Sequence, residues 1–131
     1  MIKYSIYCRK SSEEEERQIL SIEAQLTELR DFAKQNKLFV VKEFTETKSA
    51  KEPGRKIFNQ MLAQIEDGNA SGILAWNPDR LARNSIDGGR IIYLVDTGKI
   101  LSLKFPTFWF EPTPQGKFML SVAFGQGKIL H

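Results

Sequence analysis

Gly72-Ile73-Leu74-Ala75-Trp76 is a short apolar run, and Asn77-Pro78-Asp79-Arg80-Leu81-Ala82-Arg83-Asn84 breaks it at once. Five apolar residues ended by a proline-containing polar stretch have the length of a buried strand. Helical spacing lies on both sides. Upstream, Phe58, Met61, Leu62 and Ile65 hold one face of a predicted helix that Gly68 ends as a C-cap. Downstream, a helix is predicted from about Ile86 to Thr97, weakened at its start by Gly88 and Gly89.

The same alternation continues outward. Residues from about Ile2 to Cys8 read as a buried strand, and Leu38 to Thr45 returns to strand character with Val40 and Val41. Between them Ile22, Leu26, Leu29 and Ala33 recur at helical spacing from about Ser21 to Asn36, with Ser21 as N-cap and Asn36 with Lys37 as the stop. A polar stretch runs from Glu46 to Gly54. Ile100 to Phe105 is a further strand, which Phe105 to Phe110 extends or folds back on as a hairpin arm. Thr113 caps a last helix that Pro114 opens, carrying Phe118, Val122 and Phe124. Periods of two and 3.6 in turn predict an α/β domain with a mainly parallel sheet.

Composition narrows the function. The chain has 131 residues, enough for one domain and one core, and its apolar and aromatic content argues against a disordered chain. No run approaches the roughly 20 apolar residues of a bilayer crossing, and the opening has no signal-peptide pattern, so a cytoplasmic protein with no membrane partner is expected. Cys8 is the sole cysteine and His131 the sole histidine, which argues against a disulfide, a zinc site and histidine acid–base chemistry. Cys8 reads as a small packing residue, and Phe108-Trp109-Phe110 as a hairpin packed on the sheet. The acidic run Glu13 to Glu16 reads as a solvated face. A net charge of +3 leans only weakly toward an anionic partner. The last helix runs to the C-terminus with no stop signal, so residues 1–131 are expected to be one domain of a longer protein.

Ligands of open α/β sheets bind beyond the C-terminal ends of the strands. There the first strand delivers Arg9, Ser11 and Ser12; the second delivers Glu46 and Ser49, with Arg55 opening the next helix; the third delivers Asp79, Arg80 and Arg83. Singly these are surface ion pairs and turn residues. Together, arginines match the charge and geometry of phosphate, and a serine beside them is placed to attack a phosphodiester. No glycine-rich nucleotide loop is present, and a lone aspartate flanked by arginines is a poor cation site, so neither cofactor nor metal is expected.

Tyr7-Cys8-Arg9-Lys10-Ser11-Ser12 resembles the Y-x-R-x-S-T/S signature of serine recombinases, the resolvase/invertase family. Asp79-Arg80-Leu81-Ala82-Arg83 resembles that family's D-R-L-x-R motif, and Glu46-x-x-Ser49 followed by Arg55 its acidic-x-x-Ser and Arg pattern, in the same order. Ser21-Ile22-Glu23-Ala24-Gln25 and the long insertion before it are most similar to the large serine recombinases. Phe108-Trp109-Phe110 through Gly125-Gln126-Gly127 resembles the approach to the family's long helix. The sequence departs at Glu46, where small resolvases usually carry Asp, and at Gly125 and Gly127. No helix-turn-helix or zinc ribbon follows, so the DNA-binding domain of the family is absent from these residues.

The resemblance implies a three-layer, resolvase-like (flavodoxin-like) N-terminal catalytic domain whose C-terminal helix begins a longer oligomerisation helix. It implies DNA as substrate and a homo-oligomer, a dimer that forms a synaptic tetramer in the full protein. Ser11 would be the nucleophile, forming a 5′-phosphoserine bond and freeing a 3′-hydroxyl before religation. Arg9, Arg80 and Arg83 would hold the scissile phosphate, Arg55 would assist, and Asp79 would orient the arginines or protonate the leaving oxygen. Gln25, Ser49 and Glu46 would be supporting contacts. Two other readings fit the same residues: a resolvase-fold module that only dimerises, and a flavodoxin-like binder of a phosphorylated small molecule.

Overall fold

The first strand, β1 (Lys3–Arg9), is buried on both faces and sorts its side chains into two cores. Tyr4, Ile6 and Cys8 meet Leu26, Leu29 and Ala33 of α1 (Ile22–Gln35), while Tyr7 turns the other way onto Phe58, Met61, Leu62 and Ile65 of α2 (Lys56–Glu66). The computed structural model describes residues 1–10, 20–47 and 50–129, with side chains through residue 125. Its remaining elements are β2 (Phe39–Glu46), β3 (Gly72–Leu74), α3 (Pro78–Leu81), α4 (Ser85–Asp96), β4 (Ser102–Lys104) and α5 (Pro114–Ile129).

The four strands pair in the order β2-β1-β3-β4, all parallel. From β1 the chain steps one way to β2, then back past β1 to β3 and on to β4. Right-handed crossovers therefore place α1 on one face of the sheet and α2 and α4 on the other. This gives the expected three layers. It also makes the gap between β1 and β3 the point where the chain changes direction, where ligands of such sheets bind.

Edge strand β2 holds a local irregularity with a long reach. Pairing passes from Tyr4–Val40 to Ser5–Lys42, so Val41 is an extra residue, as in a β-bulge. A one-residue shift reverses the side-chain phase. Val40 thus packs on the α1 side, whereas Phe44 joins the α2 core and Glu46 lies buried opposite Arg9.

Helix ends follow local chemistry. The Ser21 hydroxyl accepts from the Ala24 N–H, and Lys37, at φ 55°, turns the chain out of α1. Gly68, at φ 85°, does the same after α2. The polar stretch after β3 is not all loop: Asn77 caps one turn of helix, α3, with proline at its start. Asn84 caps α4, one residue earlier than the apolar period suggested. Phe105 and Phe108 form an isolated antiparallel bridge, the expected hairpin arm in its smallest form.

Two aromatic assignments change. In α5 it is Leu120 and Phe124 that enter the core, while Phe118 is 67% exposed. Trp109 is not packed on the sheet but 82% exposed, with only Phe108 and Phe110 resting on the core. Among the described residues, no helix is long and apolar enough to cross a membrane.

The paired glycines of α4 have opposite surroundings. A Cβ at Gly88 would lie 2.8 Å from the Phe124 ring, whereas one at Gly89 meets nothing within 4 Å. Gly88 is the contact that lets α4 and α5 approach; Gly89 contributes only helix entropy. Gly89→Ala should stabilise the protein by up to about 1 kcal/mol in urea titrations. Gly88→Ala should instead lower stability, because that gain is outweighed by overpacking of roughly 1–3 kcal/mol.

Candidate active site

Arg9, at the end of β1, and Arg80, in the turn after β3, face each other across the β1/β3 gap. The Arg9 Nε–H donates to the Arg80 carbonyl at 3.2 Å and its Nη2 to the Asp79 carbonyl at 2.6 Å. Arg80 Nη1 reciprocates to the Arg9 carbonyl at 3.0 Å. Each guanidinium thus holds the other's backbone, and the two residues are only 0% and 2% exposed. Asp79 sits at the rim with a 42% exposed side chain, Oδ1 3.5 Å from Arg80 Nε.

Gln25 completes the end of β1. Its amide donates to the Arg9 carbonyl (3.0 Å) and to that of Leu20 (3.0 Å), and its oxygen accepts from the Arg9 N–H at 3.4 Å. A buried side-chain amide in α1 thereby fixes both the last strand residue and the segment that leads into the helix. Lys10, next before Ser11, extends the ladder by donating its N–H to the Glu46 carbonyl at 3.1 Å. Ser11, Ser12, Ser49, the Glu13 to Glu16 run and His131 lie outside the described residues.

Glu46 lies beneath this layer. One carboxylate oxygen accepts from the Ile57 N–H at 2.8 Å, the other from the Phe58 N–H at 3.1 Å and from the Tyr7 hydroxyl. The side chain of Arg55, at the N-cap position of α2, makes no capping bond, so a carboxylate from another strand caps the helix. Burial pushes the Tyr7 phenol far above its ordinary range despite the opposing charge of Arg55, so the hydroxyl keeps its proton and donates it to Glu46.

Arg55 lies in the same buried layer. Nη1 donates to the Tyr7 oxygen at 3.0 Å, Nη2 pairs with Asp87 at 3.0 Å, and the guanidinium rests 3.9 Å from the Phe58 ring centre. The Asn84 amide donates to Asp87 Oδ2 and to the Ala50 carbonyl, each at 3.0 Å, and the Arg83 N–H donates to that same carbonyl at 3.1 Å.

The structure therefore brings Arg9, Arg80, Asp79 and Gln25 together, places Arg83 on the neighbouring turn, and sets Glu46 and Arg55 one layer below. Tyr7, Asn84 and Asp87 were not assigned roles from sequence. Asn84-x-x-Asp87 carries the spacing of a local helix cap, which conceals its long-range partners.

Residues 4–125 match the family described as the resolvase N-terminal domain. The chain belongs to that family, the catalytic domain of serine site-specific recombinases. No curated protein sequence matches significantly. Among solved structures, this resolvase domain is similar to the N-terminal catalytic domain of TP901-1 integrase, with 22% identity and a TM-score of 0.70, covering 98% of this chain and 95% of that one. It is also similar to the C-terminal catalytic domain of ISC1926 TnpA, an IS607-like serine recombinase (23% identity, TM-score 0.67, 90% and 76% covered). A resolvase family site-specific recombinase from Streptococcus pneumoniae matches at 25% identity and TM-score 0.64, with 99% and 88% covered.

Glu46→Ala strands the Tyr7 hydroxyl and two helix N–H groups, and should cost about 3–5 kcal/mol in chemical denaturation. Tyr7→Phe removes two bonds, the one donated to Glu46 and the one accepted from Arg55, but leaves the helix N–H groups capped, and should cost less, about 2–3 kcal/mol. Cys8 is buried, and desolvation first, then the Glu43 charge, pushes its thiol up to about 12. The folded thiol therefore stays neutral where an unfolded one, with its ordinary value of 9.0, begins to ionise, and its contribution to stability fades as pH rises above that value. Native protein should resist iodoacetamide at pH 8.5, and urea-unfolded protein should be alkylated at Cys8 within minutes.

Proposed function

We propose that this domain cleaves DNA with Ser11 as nucleophile and the arginines of the β1/β3 gap as its electrostatic machinery. The observation that carries the reading is the crossed pair Arg9 and Arg80 at the switch point, with Arg9 two residues before Ser11 in the chain. The Ser11 Oγ attacks the phosphorus, loses its proton to solvent, and forms the bond to a 5′-phosphate. The P–O3′ bond breaks, and the 3′ oxygen leaves as a hydroxyl after taking a proton. Religation runs these steps in reverse, so the covalent link conserves the bond energy.

Serine is a weak nucleophile at neutral pH, so stabilisation of the charge on the five-coordinate phosphorus must supply much of the acceleration. Arg9 and Arg80 are buried and hold neutral backbone carbonyls. Phosphate oxygens are stronger acceptors for a guanidinium than neutral carbonyls are. Asp79 at the rim serves the leaving oxygen or orients Arg80. Arg83 adds charge from the next turn, Gln25 holds the Arg9 backbone, and Arg55 and Glu46 position the elements below. DNA is the partner, and the acting form is a homo-oligomer built on α5, a dimer that pairs into a synaptic tetramer. An inactive dimerisation module is not favoured, since Arg9, Asp79, Arg80 and Arg83 are all in place.

The test is covalent trapping on site DNA under conditions that stall religation, with the adduct mapped by mass spectrometry. Wild-type protein should carry a 5′-phosphate on Ser11, Ser12→Ala should retain it, and Ser11→Ala should abolish it; an adduct on Ser12 would overturn the assignment. Arg80→Ala should slow adduct formation by roughly 10²–10³-fold.

A further inference from the structure

We infer that Asp87 is a positioning residue for strand cleavage, fixing the place of Arg83 through Asn84 and the Ala50 carbonyl. The inference rests on the cleavage reading above and concerns a residue outside the phosphate-binding set.

Asp87 is completely buried in the first turn of α4, and three side chains converge on it. Arg55 Nη2 and Asn84 Nδ2 each lie 3.0 Å from Oδ2, and Arg90 Nη1 lies 3.7 Å from Oδ1. Its own N–H donates to Asn84 Oδ1 at 2.8 Å. The Asn84 amide therefore has one permitted orientation: its oxygen is taken by the Asp87 N–H, and its nitrogen must face the carboxylate. That orientation aims the same nitrogen at the Ala50 carbonyl, 3.0 Å away. The Arg83 N–H also donates to this carbonyl, at 3.1 Å. Ala50 is the residue after Ser49, so a single carbonyl ties the backbone of Arg83 to the loop carrying that serine.

A helix cap alone does not account for this. Asn84 caps α4 with its oxygen, and that bond needs only the backbone of residue 87. A buried ion pair is also a poor source of stability, since apolar groups of equal volume often pack as well or better. What the carboxylate adds is direction. It orients the Asn84 amide, and through Arg55 it meets the Tyr7 hydroxyl, two residues before Arg9 in β1. Asp87 thus connects β1, the start of α2, the loop at Ala50 and the turn of Arg83 beneath the site. Catalysis by fixed charges is sensitive to displacements on the order of 1 Å, so loosening this link should slow chemistry without weakening DNA binding.

The experiment measures single-turnover formation of the protein–DNA adduct at saturating DNA, together with DNA affinity. It uses wild type, Asp87→Asn and Asn84→Ser, each with and without Arg83→Ala. Serine retains an N-cap acceptor but is too short to reach Ala50, so Asn84→Ser supplies a folded variant should Asp87→Asn unfold. Both single variants should form adduct at least tenfold more slowly with DNA affinity within twofold. On the Arg83→Ala background each should cost less than twofold. Wild-type rates in either folded variant, rate losses matched by losses of DNA affinity, or undiminished effects without Arg83 would each overturn the inference. If wild type forms no Ser11 adduct, the cleavage reading falls and this inference with it; a wild-type adduct unaffected by the substitutions overturns the inference alone.

Discussion

A charge taken out of water must find a partner, and at the C-terminal edge of this sheet that requirement governs the arrangement of the chain. Glu46 is the node. Its carboxylate collects two N–H groups of α2 and the hydroxyl of Tyr7, which in turn accepts from Arg55. Arg55 then meets Asp87 on α4. One continuous polar path thereby joins β2, β1, α2 and α4, in a region where apolar packing alone would leave the relative position of the loops loosely defined.

This buried layer carries the site above it. The guanidinium groups of Arg9 and Arg80 each grip the backbone of the other residue, closing the β1/β3 gap with hydrogen bonds in both directions. The arrangement places two guanidinium groups at the switch point of the sheet, with the carboxylate of Asp79 at the rim. Fixed positive charge stabilises the negative charge that develops when a phosphodiester is broken and rejoined, the reaction of this family.

The outer surfaces follow a different logic. α5 buries Leu120 and Phe124 against α4, where Gly88 admits the Phe124 ring, and Lys117 pairs with Asp96 at 2.6 Å. Phe118 and Met119 remain in solvent on the same helix. A helix that shows apolar side chains on two sides has more to bury than one domain can cover.

Strand and helix positions were legible from sequence because their signals are local. Apolar periods, the Ser21 cap, the Gly68 stop and the Thr113-Pro114 start all act within one turn, and each element appears within a few residues of its predicted place. The short helix α3 was not legible, since Asn77-Pro78 reads equally as a turn. The family motifs also marked Arg9, Asp79, Arg80 and Gln25, residues that the fold brings to one place. What tertiary structure alone decided was the destination of the polar groups. Glu46 and Arg55 read as supporting residues at the sheet edge, yet one extra residue at Val41 turns the first inward to cap α2, and the second lies buried against Asp87. Asp87 carried no signal of its own in the sequence. Periodicity reports which face a side chain occupies, whereas the partner of a buried charge depends on strand register and crossover direction, and these are set only when distant segments meet.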